Sequence, residues 1–330
     1  MKKITEIIKE KSSFVLIVII ILLLSVIALS FFTVKFYTGY VTADQEVADL
    51  QNKFTLLSSS IAWMETEDFL AKQETYIINY REMKQQVIDQ LATSPDEQYG
   101  FYFEDLSTGS WIGINEKQQF MPMSLFKVPL MVAILEKIQD GTLSLNQTTL
   151  IEPEDLDNQS GDLASKGAGY EISIKELLTI MIRDSDNTAM NVLASRFTTN
   201  EDYIQVISIM GLPDPSNQQS ISPKEYSNIF RSLYFSTYLR RPFSQLALTI
   251  LLDTKFNSQL PAGIPEDVKV SHKVGFDVTK GFYHDCGIVY KPEHPYLICI
   301  MSQNTTQEKA DKMISAISKI VYDYDPKISD

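Results

Sequence analysis

A serine and a lysine three residues apart, Ser124 and Lys127, form the first pair in this sequence whose types and spacing could do chemistry. A serine hydroxyl is a poor nucleophile at its own pKa and needs an adjacent base. Residues three apart share a helix face, so the Lys127 amine can lie beside the Ser124 oxygen. A helix beginning at Ser124 would also place partial positive charge beside a developing oxyanion. The pair predicts nucleophilic catalysis by serine.

Two further short strings follow along the chain, Ser185-Asp-Asn187 and Lys273-Val-Gly275. A lysine is a usable base only if burial or a neighbouring positive charge lowers its pKa, and Lys273 could supply that charge to Lys127. Each string alone is weak evidence, because short motifs recur by chance. Their occurrence together and in this order favours one site.

Two other interpretations compete with a lysine-activated serine. Ser124 could be a plain helix cap with a solvated Lys127, and Ser185-Asp-Asn187 an ordinary turn, because these residue types favour caps and turns. Alternatively, the neighbours His284 and Asp285 could form a triad with Ser124, which would require the histidine to lie beside the serine.

The three strings in this order resemble the S-x-x-K, S-D-N and K-T-G signature of the serine β-lactamase and penicillin-binding protein superfamily, most closely its class A β-lactamase branch. The resemblance covers about Glu65 to Tyr324. It implies a Ser124 acyl-enzyme formed with a β-lactam or with a cell-wall peptide ending in D-alanine, and it implies no cofactor.

The resemblance also implies catalytic roles for the motif residues. Ser124 would be the nucleophile, Lys127 its base and Ser185 a proton relay. The oxyanion hole would consist of two backbone N–H groups, those of Ser124 and Phe276.

Substrate binding would involve three further motif residues. Asn187 would hold the substrate amide, Lys273 would attract the substrate carboxylate, and Gly275 would leave room for the substrate against its strand. Val274 departs from the family pattern, which has Thr or Ser there. Valine matches threonine in shape but lacks the hydroxyl, and a missing buried hydrogen bond costs about 1 kcal/mol or more.

A second departure concerns deacylation. Class A β-lactamases carry a water-activating Glu in an E-x-x-L-N string, which this sequence lacks. The corresponding loop, Gly211–Ile221, contains Asp214 as its only acid. Glu225 is the nearest glutamate, but its position three after Ser222 predicts a capping box that already uses its carboxylate. We therefore expect acylation to be retained and deacylation to be slow.

The elements around these motifs predict an α+β fold, in which both ends of the domain build one antiparallel sheet and a helical block is inserted between them. Aromatic and β-branched runs separated by turns predict a hairpin and three later strands. Apolar residues repeating every 3.6 residues, together with capping residues, predict helices. The strands are Tyr99–Leu106, Trp111–Ile114, Val268–Phe276, Phe282–Tyr290 and Tyr296–Met301. The helices include Glu67–Leu91, Ser124–Asp140 stopped by Gly141, Ser173–Arg183, one capped by Ser222 and one from Thr305.

Composition excludes several other classes of protein. A net charge of -13 argues against nucleic acid as a partner, because that affinity depends on clustered Lys and Arg. The chain has two cysteines, three histidines and no C-x-x-C string, so a zinc site built from His and Cys has almost no ligands to draw on and no metal is expected. Cys286 and Cys299 fall in paired strands; an oxidising exterior could link them, and free buried thiols are an equal alternative.

The N-terminal residues predict attachment to a membrane. Residues 14–34 contain no charge, and at about 1.5 Å per residue a helix of that length spans a bilayer core of roughly 30 Å. Lysines predominate in residues 1–13, which places that end in the cytoplasm and the remainder outside. A cleaved signal peptide ending near Ala43 is the alternative, but the apolar run is too long for one.

Residues 35–64 predict a helical stalk, and residues 65–330 the extracytoplasmic domain. The stalk's apolar seam is shorter than three heptads, so it could dimerise weakly or act as a lone spacer. Two functional hypotheses follow for the domain. It is a membrane-anchored serine hydrolase, or it is a degenerate binding module or sensor for penicillin or peptidoglycan.

Overall fold

The computed structural model describes residues 79–213 and 220–325, where one antiparallel sheet holds the Lys273 strand. Its strands are β1 (Gln98–Asp105), β2 (Trp111–Ile114), β5 (Val270–Asp277), β6 (Phe282–Val289) and β7 (Tyr296–Gln303). Their order, β2-β1-β7-β6-β5, joins the first hairpin to the last strands, which confirms a sheet built from both ends of the domain. A second, two-stranded sheet pairs β3 (Thr148–Leu150) with β4 (Glu171–Ser173).

Helices cover both faces of the main sheet. The helical block inserted between β2 and β5 contains α2 (Lys127–Gln139), α3 (Ile174–Arg183), α4 (Asn187–Arg196), α5 (Asn200–Ile209), α6 (Pro223–Phe235) and α7 (Arg241–Leu252). The opposite face carries α1 (Arg81–Leu91) and α8 (Gln307–Asp323). The predicted capping boxes at Ser173 and Ser222 are present, and Gly141 ends α2 at a φ of 77°.

The predicted helix start at Ser124 is wrong in its detail. Residues Met123–Phe126 form a 3-10 turn, and the α-helix begins at Lys127. Pro129 explains the difference, because it has no N–H to donate to the carbonyl of Leu125 four residues earlier. That carbonyl accepts a hydrogen bond of 2.8 Å from the Tyr226 hydroxyl instead. The last helix is capped by Thr306, one residue later than expected.

The core lies in two layers, one on each sheet face. Because paired residues share a face, Tyr102, Cys299 and Cys286 point together toward the helical block, whereas Phe101 and Ile300 point toward α1 and α8. Cys286 and Cys299 form a disulfide, which decides between the two alternatives that the sequence left open.

Several sequence predictions lie outside the described residues: the cytoplasmic segment 1–13, the membrane segment 14–34, the stalk 35–64 with its dimer seam, and the first part of the helix predicted from Glu67. Within the part that is described, none of the helices combines the length and apolar character needed to span a bilayer.

Candidate active site

The turn that carries Ser124 is hydrogen-bonded to the helical block through Tyr226. Ser124 is half-buried, and its carbonyl accepts a 3-10 hydrogen bond from the Lys127 N–H. Met123 has a φ of 50°, a left-handed conformation that a non-glycine residue adopts only where its surroundings impose it. The Tyr226 hydroxyl, itself buried, imposes part of that geometry through the Leu125 carbonyl.

His284 holds the same turn from the sheet side. Its Nδ1 accepts from the Ser302 N–H (3.2 Å), so Nε2 carries the proton and donates to the Met121 carbonyl (2.8 Å). Burial lowers the pKa of His284 to about 4, which keeps the ring neutral. Asp285 bonds to a different histidine, with its Oδ1 at 2.7 Å from His272 Nδ1. The triad interpretation is therefore wrong, because both ring nitrogens of His284 are hydrogen-bonded to backbone groups and Asp285 bonds to His272 instead.

Gly275 brings β5 against the Ser124 turn. A Cβ at this position would lie 2.7 Å from the Pro122 carbonyl oxygen and 3.0 Å from Leu125 Cγ. The strand can pack this closely only because residue 275 has no side chain. This packing explains the glycine at position 275 more directly than the predicted need to leave room for a substrate. It also sets the next residue, Phe276, on an edge strand beside the Ser124 turn.

Four of the predicted site residues, Lys127, Ser185, Asn187 and Lys273, meet in one hydrogen-bond network. Lys127, Ser185 and Lys273 are each 0% exposed. Ser185 Oγ lies 3.4 Å from Lys127 Nζ and 3.0 Å from Lys273 Nζ, so one hydroxyl bridges two amines. Lys127 Nζ also donates to Asn187 Oδ1 (2.8 Å) and to the Ser185 carbonyl. The solvated-lysine interpretation is therefore wrong.

Burial makes both lysines poor at holding a proton. Removal from water lowers the pKa of Lys127 to about 8, and the negative charges of Asp186 and Asp157 oppose that shift. Lys273 has its pKa lowered well below the usual value, first by burial and then by repulsion from Lys127. Once neutral, the Lys127 amine can accept a proton from a hydroxyl.

The backbone around Ser185 is held in an unusual shape. Ser185 has a φ of 55°, and its carbonyl accepts from the Ser160 hydroxyl at 2.8 Å. The next residue, Asp186, caps α4 through the Ala189 N–H (2.8 Å) and receives the Leu163 N–H (2.8 Å). These bonds aim the Ser185 hydroxyl at the two lysines.

Sequence reasoning missed several residues that support the site. Asp157 accepts from Asn187 Nδ2 (3.3 Å), and Ser160 accepts the Asn187 N–H through its carbonyl (3.0 Å). Both lie in a loop without a motif, and Tyr226 lies far along the chain. Only Pro129 offered a local signal, since it leaves the Leu125 carbonyl without a helical partner.

The region expected to supply a deacylating base is partly described. Glu225 accepts from the Ser222 N–H (2.9 Å) and hydroxyl (2.7 Å), so the predicted capping box does use its carboxylate. Gln119 Nε2 also donates to it, at 3.1 Å. Asp214 lies outside the described residues. Across residues 79–213 and 220–325, no cluster of His, Cys, Asp and Glu suited to a metal ion is found.

A buried Ser-Lys-Lys network beside a serine turn, on an α+β fold with an edge strand, defines a β-lactamase-like serine hydrolase. A model of the β-lactamase enzyme family matches residues 82–324, which is most of the chain. The protein therefore belongs to the β-lactamase enzyme family.

Curated relatives of the chain include two β-lactamases. The chain is 23% identical over 253 residues to β-lactamase SME-1 of Serratia marcescens, covering 71% of this chain and 86% of that protein. It is 25% identical over 257 residues to β-lactamase ROB-1 of Haemophilus influenzae, covering 72% and 83%.

Two solved structures share the fold, each at 23% identity and a TM-score of 0.67. One is a point mutant of PBP-A, solved as an acyl-enzyme complex with penicillin G, and the match covers 73% of this chain and 95% of that one. The other is a β-lactamase from Chitinophaga pinensis, for which the match covers 74% and 99%.

Proposed function

We propose that this protein is a membrane-anchored serine hydrolase that forms an acyl-enzyme on Ser124 with β-lactams or with cell-wall peptides ending in D-Ala-D-Ala. The observation that carries the proposal is the hydroxyl of Ser185 held between two buried amines beside the Ser124 turn. Lys127 removes the Ser124 proton, and Ser185 relays a proton to the leaving nitrogen. The backbone N–H groups of Ser124 and Phe276 bind the oxyanion.

Substrate binding uses the remaining motif residues. Asn187 holds the substrate amide and Lys273 attracts the carboxylate. Val274 is buried and offers no hydroxyl to that carboxylate, which weakens its binding.

The test is covalent labelling of the full-length protein in detergent with a fluorescent penicillin. Mass spectrometry of the digested protein should find the adduct on the peptide that contains Ser124, and Ser124→Ala should abolish it. Absence of any adduct at saturating penicillin would overturn the proposal.

We further propose that the acyl-enzyme is released slowly. Glu225 is committed to its capping box, and the loop Gly211–Ile221 contains no glutamate to activate water. The same observation favours a second candidate, a penicillin or peptidoglycan sensor that signals through the stalk. Turnover separates the two: repeated hydrolysis of a chromogenic β-lactam or a D-Ala-D-Ala peptide supports the enzyme, and a stable adduct without turnover supports the sensor.

The proposed location is the outer face of a cell membrane, with the N-terminus in the cytoplasm. The uncharged segment 14–34 and the lysines before it support this orientation.

A further inference from the structure

Phe256, which no motif includes, lies beside Lys273 at the edge of the site and contacts Phe276 on β5. The Lys273 Nζ lies 5.7 Å from the centroid of the Phe256 ring. The Phe256 and Phe276 rings are 5.9 Å apart with an interplanar angle of 56°. Phe276 is 38% exposed, and the nearby Val278 is 62% exposed. We call Phe256 and Phe276 the aromatic lip.

The loop that carries Phe256 is fastened to the Ser185 loop. The Lys255 N–H donates to the Arg183 carbonyl (3.2 Å), and Lys255 Nζ forms an ion pair with Asp184 (2.6 Å). These contacts hold the Phe256 ring beside the network in which Lys273 donates to Ser185 Oγ. The lip is therefore placed before any substrate arrives, which reduces the entropy lost on binding.

The chemistry of the lip is apolar. Phe256 lies beside Lys273 and contacts Phe276, and neither phenylalanine carries a hydroxyl or a positive charge. A carboxylate held by Lys273 would thus have aromatic rings for neighbours. When a ring of a ligand covers partly exposed aromatic surface beside a binding site, the buried area adds to the binding free energy.

We propose that the aromatic lip binds an aromatic or broad apolar group that a substrate carries next to its carboxylate, and that such compounds are the preferred acyl donors. This inference rests on the proposed function. It adds a substrate preference that is set by Phe256 and Phe276 rather than by the motif residues.

The test compares two cephalosporins with the same acylamino group and either a phenylvinyl or a methyl group next to the carboxylate. The acylation rate of the full-length protein is measured with each compound, and the ratio of the two rates is the readout. Because variants are compared on the same two compounds, the intrinsic reactivities of the compounds cancel. Phe256→Ala and Phe276→Ala should each lower the ratio by about ten-fold, the size of one aromatic contact.

Phe235→Ala is the matched control, since Phe235 is 47% exposed at the end of α6 and belongs to no part of the site. It should leave the ratio unchanged. Two lip variants are made so that one still reports if the other does not fold. An unchanged ratio in a folded lip variant, with Ser124 still acylated, would overturn the lip and leave the proposed function standing. Failure of both compounds to acylate the wild-type protein would overturn both.

Discussion

At the scale of single residues, burial makes Lys127 usable as a base. Its amine is out of water and shares one hydroxyl with Lys273, so a second proton on the pair is disfavoured. Asp186 and Asp157 limit the effect, because their negative charges favour the protonated amine. The protonation state of the site is thus set by groups beyond the S-x-x-K string.

The first prediction is the pH dependence of acylation. In the proposed mechanism the neutral form of Lys127 is the active one, so the acylation rate should rise with pH and level off above a pKa of about 8. Stopped-flow acylation by penicillin between pH 6 and 10 measures it. Asp157→Asn keeps an acceptor for Asn187 and removes a charge that raises the pKa of Lys127, so the midpoint should move to lower pH. A flat profile, or an upward move, would contradict Lys127 as the base.

The second prediction concerns deacylation. With Glu225 committed to Ser222, penicillin hydrolysis should show a burst followed by a slow steady state, because losing a general base costs about 10² to 10⁴ in rate. Rapid-mixing traces with a chromogenic β-lactam measure both phases. A fast linear phase without a burst would refute slow deacylation. Loss of that fast phase in Asp214→Asn would then assign the missing role to Asp214.

At the scale of elements, the 3-10 turn with Ser124 is fixed by groups from three directions. His284 on β6 binds the Met121 carbonyl, Tyr226 on α6 binds the Leu125 carbonyl, and Gly275 on β5 packs directly against the turn. These contacts offset the left-handed Met123 conformation. Ser124, the proposed nucleophile, is therefore positioned before substrate binds, which is the arrangement that lowers a reaction barrier.

The third prediction tests this packing. Gly275→Ala places a Cβ 2.7 Å from a backbone oxygen, so the Ser124 turn or β5 must shift. Because a displacement of about 1 Å can cost about 10² in rate, acylation should fall by roughly ten- to a hundredfold while the chain stays folded. Acylation rate and thermal unfolding are measured together.

Gly141→Ala is the control for that experiment. Gly141 has a φ of 77° and open space around it, so alanine strains the backbone by about 1 kcal/mol or more without touching the site. It should lower the unfolding temperature and leave acylation unchanged. Wild-type acylation in Gly275→Ala would show that the close approach does not position Ser124.

At the scale of the whole molecule, the proposed exterior location agrees with the Cys286–Cys299 disulfide, since disulfides persist in oxidising compartments. The fourth prediction is that the full-length protein stays in the membrane fraction after alkaline carbonate extraction and is released by detergent. N-terminal sequencing should find the uncleaved chain. Release by carbonate, or a mature chain that begins just after Ala43, would instead identify a cleaved signal peptide.

Much of the fold could be predicted from the sequence because its signals are local. The capping boxes at Ser173 and Ser222 follow from hydrogen bonds between residues three apart, and the strands follow from aromatic and β-branched runs bounded by turns. The order of three motif strings along the chain predicted one site that contains Ser124, Lys127, Ser185 and Lys273. Pro129 held an unused local signal for the 3-10 turn.

Only the tertiary structure decided how those residues meet. Ser160 and Asp157 form hydrogen bonds to the Ser185 loop. His284 and Tyr226 bind carbonyls of the Ser124 turn. Phe256 lies beside Lys273. Each contact joins distant segments, so neither spacing nor residue type predicts it. The sequence could not decide the disulfide, because the pairing of Cys286 with Cys299 depends on strand register. Nor could it predict the burial of Lys127 and Lys273, because that depends on how the helical block packs against the sheet.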